Sequence, residues 1–216
     1  MRSKRSVQVG VGAFAALALL VGCGGSGDSG ADDSDRTTTQ TTAAPATTAQ
    51  ATDAHNMADA MFSQHMIPHH QQAIEMSDML LAKQGIDPRV TELATQIKAA
   101  QGPEIEQMRG WLREWGMPAM PGGDMGGHGA MGGMGDMPGM AGMMSEADMT
   151  ALQNAEGVDA TKLFLTQMIE HHEGAITMAQ NEIDDGQFPA TVELAHSIIE
   201  TQQREIDTMK QILQTL

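Results

Sequence analysis

An all-α fold, a four-helix bundle made by using one helical hairpin twice, is what this 216-residue sequence predicts. Three observations predict it. Met66-Ile67-Pro68-His69-His70 returns 102 residues later as Met168-Ile169-Glu170-His171-His172, and the match extends to Phe62 with Phe164, Ala73 with Ala175, Ile74 with Ile176 and Met76 with Met178. A second block, Glu92-Leu93-Ala94 with Gln101, Glu104, Ile105 and Met108, returns at an offset of 101 as Glu193-Leu194-Ala195 with Gln202, Glu205, Ile206 and Met209. Apolar residues in all four blocks recur at helical spacing, and no segment carries a β signal of weight. Two amphipathic hairpins bury their apolar faces by packing together, which gives a bundle.

Taken in order, the chain opens with a leader. Residues 1–22 pair a basic start (Arg2, Lys4, Arg5) with a 15-residue apolar run over 7–21, the pattern of a signal peptide. A membrane-spanning helix needs about 20 such residues. Leu20-Val21-Gly22-Cys23 resembles a bacterial lipobox, which makes Cys23, the single cysteine, the expected lipidated residue; the bland alternative is an ordinary leader with Cys23 incidental. Residues 24–54 hold no Val, Ile, Leu or Phe. They cannot bury a core and are expected to form a disordered tether, with an r.m.s. span of about 30 Å.

The folded domain is expected over 55–216, with a first hairpin at 55–115, a connector at 116–144 and a second hairpin at 145–216. The first helix should run over about 56–84 and stop at Gly85 and Asp87-Pro88; Pro68 inside it frees the carbonyl of Gln64 and is expected to kink it. Asp87 as N-cap and Pro88 at the first position start the second helix, to about residue 115. The third and fourth helices should cover about 158–185 and 189–214.

The formal charge of −16 falls to about −19 once the three leader cations are removed. That excludes the basic footprint nucleic acid requires and favours solubility and local cation enrichment. With no cysteine beyond Cys23, disulfides do not hold the domain. Any soft-metal chemistry must use methionine and histidine.

Both residue types are placed for it. On the first helix Phe62, Met66, His69, Ala73 and Met76 lie within roughly 80° of one side and His70 about 40° beyond Met66. Two imidazoles and two thioethers thus sit in the stripe that should face the core, and the second half repeats them. A histidine on an apolar face is usually a satisfied core residue. Here the pair is duplicated, each copy has Met before and after it, and there is no tyrosine in the chain to partner buried imidazoles. The candidate ligands are Met66, His69, His70, Met76, Met168, His171, His172 and Met178. His65, Met108 and Met209 are further candidates. Glu104 and Glu205 fall on the inward side and are either outer partners that orient imidazoles or boundary residues. His196 lacks a repeat and is expected at the surface. The connector adds nine methionines, eleven glycines and one histidine over 116–144. Met117, Met120, Met125, His128, Met131, Met134, Met137, Met140, Met143 and Met144 form a candidate metal-capture loop, against the plainer reading of a flexible linker. Thioether with imidazole suits copper, Cu(I) above all and Cu(II) through nitrogen; zinc prefers thiolate, imidazole or carboxylate.

The run Phe62-x3-Met66-Ile67-x-His69-His70-x2-Ala73-Ile74-x-Met76 and its copy from Phe164 to Met178 resemble the signature of domain-of-unknown-function family 305, over about residues 55–214. The resemblance implies a ferritin-like four-helix bundle, an extracytoplasmic location and, for some members, copper binding and tolerance. It carries the ligand role to the eight core Met and His residues above. Pro68 and the long Met/Gly insert depart from the family pattern.

Three functions compete. A lipid-anchored, extracytoplasmic copper chaperone or sponge, bound to metal ions and to the membrane through Cys23, is the leading expectation. A ferritin-like oxidase acting on Cu(I) or Fe(II) is the rival. Di-iron bundles need Glu-x-x-His from two helices, and Met66 and Ile67 stand where those glutamates should be. A metal-free structural lipoprotein is the third. No acid–base or nucleophile constellation accompanies the histidines, which favours binding over catalysis.

Overall fold

The computed structural model describes residues 54–118 and 140–216. The leader, Cys23, the tether to residue 53 and the connector residues Met120, Met125, His128, Met131, Met134 and Met137 lie outside them. Five helices are present: α1 (Met57–Leu81), α2 (Pro88–Glu114), α3 (Glu146–Asn154), α4 (Gly157–Asp185) and α5 (Pro189–Leu213). No strand occurs among the described residues.

The helix ends follow from local chemistry. Asn56 caps α1 through a capping box: its side chain accepts from the N–H groups of Ala58 and Asp59, and Asp59 accepts from the Asn56 N–H. Asp87 caps α2 by accepting from the Arg89 N–H at 2.9 Å. Prolines open both α2 and α5. Gly85, at φ +73°, turns the chain after α1 as only glycine does freely. Both α1 and α2 run on through an interior proline, Pro68 and Pro103; Pro103 escaped the sequence reading.

The short helix α3 corrects an expectation. Periodicity predicts the first helix of the second hairpin from about residue 158, but Ser145 and Asp148 form a capping box that starts nine helical residues ahead of it. Only Leu152 of α3 is buried. The helix lies against α1 and α4, and Gln167 of α4 donates to the Asp148 carbonyl at 3.0 Å.

Within each hairpin α1 packs on α2 and α4 on α5, and the hairpins meet mainly through α1 and α4. These two run antiparallel: Asn56 at the start of α1 donates to the Asp185 carbonyl at the end of α4, 2.8 Å away. The Asp59 carboxylate ties the same corner by accepting from the N–H groups of Gln187 and Phe188 and from the Thr191 hydroxyl, at 3.0, 2.9 and 2.8 Å.

The core is split in two. One half gathers Met76, Leu80, Val90, Ile97, Phe164, Leu165, Met168, Ile206 and Met209. The other gathers Phe62, Met66, Ile67, Ile105, Met108, Leu112, Met178, Leu194 and Ile198. Along every long helix the change from one half to the other falls on a polar buried residue: His69 and His70 on α1, Gln101 on α2, His171 and His172 on α4, Gln202 on α5. A polar layer therefore crosses the middle of the bundle, with apolar packing above and below it.

Candidate metal centre

The antiparallel crossing of α1 and α4 brings the two histidine pairs to one place. The rings of His69 and His171 stand 3.7 Å apart between centroids, tilted by 38°. All four histidines are at most 1% exposed. The two halves of the repeat thus contribute to one shared layer. The geometry also pairs the methionines across the repeat, Met66 with Met178 in one core half and Met76 with Met168 in the other. Met108 and Met209 add one thioether to each half.

Outer partners hold three of the four rings. His70 Nε2 lies 2.7 Å from Glu104 Oε2, and His172 Nε2 lies 2.7 Å from Glu205 Oε2. Of the two roles open to these glutamates, the geometry gives them that of imidazole partner. His69 Nε2 lies 3.1 Å from the carbonyl oxygen of Ala141. Carbonyl oxygen only accepts, so His69 Nε2 carries the hydrogen. In all three rings Nδ1 is buried and has no partner, and His171 lacks a partner at both nitrogens. Gln101 and Gln202 do not rescue them: both amide atoms of Gln101 and the oxygen of Gln202 are themselves unpartnered.

The magnitude of that deficit matters. A buried polar atom left unsatisfied costs about 1–3 kcal/mol, and five imidazole nitrogens of this layer have no protein partner. Burial, then the neighbouring His70, pushes the His69 imidazole down to about 3. Burial, then His69, holds His171 well below the ordinary histidine range. Both rings are neutral at pH 7, the state in which imidazole binds metal.

Nitrogen alone does not complete a site. No three His, Cys, Asp or Glu side chains among the described residues are arranged to hold a metal ion. A donor set here must draw on thioether sulfur, and Met66, Met76, Met168 and Met178 are buried on the two sides of the layer. Imidazole with thioether fits copper better than a hard cation.

The remaining candidates fall elsewhere. His65 is half-buried on the outer side of α1, and burial lowers its pKa. His196 is exposed, as expected, and so are Glu75 and Glu170. Met117 packs against the second core half. Met140 and Met144 are buried, at 5% and 7% exposure, and Met144 belongs to the core half of Met76 and Met168. The end of the connector is thus part of the core packing rather than open loop. Residues 140–144 cross the α1–α4 groove beside the histidines. Gln72 grips this segment twice, donating to the Met144 carbonyl at 2.9 Å and accepting from the Met144 N–H at 2.7 Å. Gly174, the repeat equivalent of Gln72, receives it on the other side: a Cβ there would lie 2.0 Å from the Ala141 carbonyl oxygen. Sequence reasoning passed over Gln72, Ala141, Gly142 and Gly174. The one available signal was that the repeat breaks at the Gln72/Gly174 position.

The fold is a four-helix bundle with a buried layer of histidine at its centre and buried methionines on both sides of it. The chain belongs to the family described as Domain of unknown function (DUF305), whose model matches residues 59–213. Solved relatives share the fold. A putative secreted DUF305 protein from Streptomyces coelicolor is 34% identical, with a TM-score of 0.63 over 73% of this chain and 91% of that one. A DUF305 fragment from Deinococcus radiodurans is 32% identical, with a TM-score of 0.63 over 74% of this chain and 98% of that one. CopM in its Cu(II)-bound form is 33% identical, with a TM-score of 0.59 over 73% of this chain and 96% of that one. CopM is also solved in Cu(I)-bound and Ag-bound forms. No curated protein matches the sequence.

Proposed function

We propose that this chain is an extracytoplasmic, lipid-anchored copper-binding protein that sequesters or hands on copper and does not turn over a substrate. The observation that carries the reading is the polar layer: four buried imidazoles with five unpartnered nitrogens, flanked by buried thioethers. The copper- and silver-bound forms of CopM support the same soft-metal class.

Met66, His69, His70, Met76, Met168, His171, His172 and Met178 are the proposed ligands, with Glu104 and Glu205 orienting His70 and His172. Cu(I) is the favoured cargo and Cu(II) the second, held through nitrogen. Thioethers of the connector add capacity for Cu(I). Lipidated Cys23 and the tether keep the domain at the membrane surface outside the cytoplasm; among the described residues no helix is long and apolar enough to cross a membrane. Metal analysis of protein purified from cells grown with copper, zinc and iron together tests the cargo. Copper should dominate, and protein loaded with iron or zinc instead would overturn the reading. Cys23→Ser should shift the protein from the membrane fraction to the soluble one.

A further inference from the structure

The segment 140–144 has no counterpart in the repeat, yet hydrogen bonds and close packing fasten it to α1 and α4. Gln72 binds both main-chain groups of Met144. The Met143 N–H closes a turn on the Met140 carbonyl at 3.4 Å. Gly142 takes φ +78°, where a Cβ would lie 2.7 Å from the Glu170 carbonyl and 3.0 Å from that of His171. Gly174 lets the Ala141 peptide lie directly on α4. Ala141 then presents its carbonyl to His69 Nε2 at 3.1 Å. Met144 enters the core half that already holds Met76, Met168 and Met209.

We propose that residues 140–144 form a strap that is a working wall of the metal centre: Ala141 fixes the ring of His69 so that Nδ1 is its ligand atom, and Met144 supplies a thioether to the Met76–Met168 side. The strap makes the centre lopsided. The layer is symmetric in its glutamates, but the strap gives its backbone acceptor to His69 and not to His171, and its Met144 enters the core half of Met76 and Met168 and not the other. A carbonyl or carboxylate on the far nitrogen orients a ligating imidazole and raises its basicity, so His69 is a prepared ligand whereas His171, bare at both nitrogens, is not. The strap side is where Cu(I) binds most tightly. The metal half of this inference rests on the copper reading; the tautomer half does not.

Three variants test it. Gly174→Ala forces the strap off α4 while favouring the helix itself, since alanine exceeds glycine in helix propensity by about 1 kcal/mol; an unchanged far-UV spectrum confirms the fold. In metal-free protein, ¹⁵N-resolved spectra of the imidazoles should show His69 as the Nε2–H tautomer in the wild type and a mixture in Gly174→Ala. Met144→Leu keeps volume and removes sulfur. Competition with a chromophoric Cu(I) chelator should show both variants binding Cu(I) about tenfold or more weakly, the scale of outer-partner losses. Met149→Leu, the same exchange at a residue packed on the same core half, should bind as the wild type does. A Gly174→Ala protein that keeps the single His69 tautomer overturns the fixing role. Met144→Leu with wild-type affinity overturns the ligand role. If the wild type itself takes up no Cu(I), the copper reading falls and with it the Met144 role, while the tautomer measurement still decides the strap.

Discussion

His171 has no hydrogen-bond partner at either ring nitrogen although it is buried to 1% exposure. A side chain kept in that state by packing alone should be improvable. Leucine has similar volume and no polar atom, and replacing an unsatisfied buried group by an apolar one of the same shape is neutral to stabilising. His171→Leu is therefore expected to raise the melting temperature of metal-free protein by a few degrees, on the scale of about 2–4 °C per kcal/mol for a domain of this size. The same variant should lose the extra stabilisation that Cu(I) gives the wild type, because stabilisation by a ligand follows its affinity for the native state. Melting both proteins with and without Cu(I) checks the two signs together. A lower melting temperature without metal would mean that His171 is satisfied in solution and is a packing residue.

At the scale of elements, the corner where α1 meets the α4–α5 turn is a pH-sensitive joint. Glu182 is 2% exposed, and burial pushes its carboxyl up to about 8. Asp59 beside it behaves oppositely: burial alone would raise it, but the N–H groups of Asn56 and Phe188 and the Thr191 hydroxyl hold it below the ordinary value. For Glu182 the folded chain keeps a proton that the unfolded chain has released above about 4.5. Stability from this group is full below that pH and is lost as pH rises towards 8. Metal-free melting temperatures should fall across this window, and Glu182→Gln should flatten the fall; an unaltered slope would show that Glu182 ionises normally. Much of this architecture was legible in the sequence. Asp87 and Pro88 announced the start of α2, the expected starts at about 56 and 189 match those of α1 and α5 within a residue, and the stripe through Met66, His69 and Met76 announced the buried face. The short α3 was hidden because Ser145-x-x-Asp148 is followed by too few apolar residues to show a period. The strap was hidden for a deeper reason: it is held by the main chain of Ala141, Gly142 and Met144, and carbonyl and N–H groups carry no residue-type signal. Nor does helical periodicity say which helix lies opposite, so the meeting of His69 with His171 could not be read from the repeat.

For the molecule as a whole, the polar layer sits between two apolar halves, and each half draws on all four long helices. Folding then needs no metal: capping boxes, short hairpin turns and the two apolar halves suffice, and chelated protein should keep its helical circular dichroism, an unfolded spectrum being the contrary result. The same arrangement changes what the duplication means for copper. Two independent sites would each keep full strength when the other was removed, so His69→Ala with His70→Ala would abolish half of the bundle-bound Cu(I) and leave the rest unchanged. In this structure the rings of His69 and His171 lie against each other at 3.7 Å between centroids, and each core half takes one methionine of the proposed set from each repeat. Removing one pair takes nitrogen from a centre that the other pair shares, and opens a cavity against the remaining rings. The His69/His70 double variant is therefore expected to lose well over half of the bundle-bound Cu(I), and what remains should bind more weakly than in the wild type. The His171/His172 double variant should behave alike, apart from the advantage the strap gives His69. Cu(I) titrations with the connector residues 119–139 replaced by a Gly/Ser linker read the bundle alone. A loss of one half, with the other half at wild-type affinity, would show that the hairpins carry separate sites and that their contact at the histidines is incidental to binding.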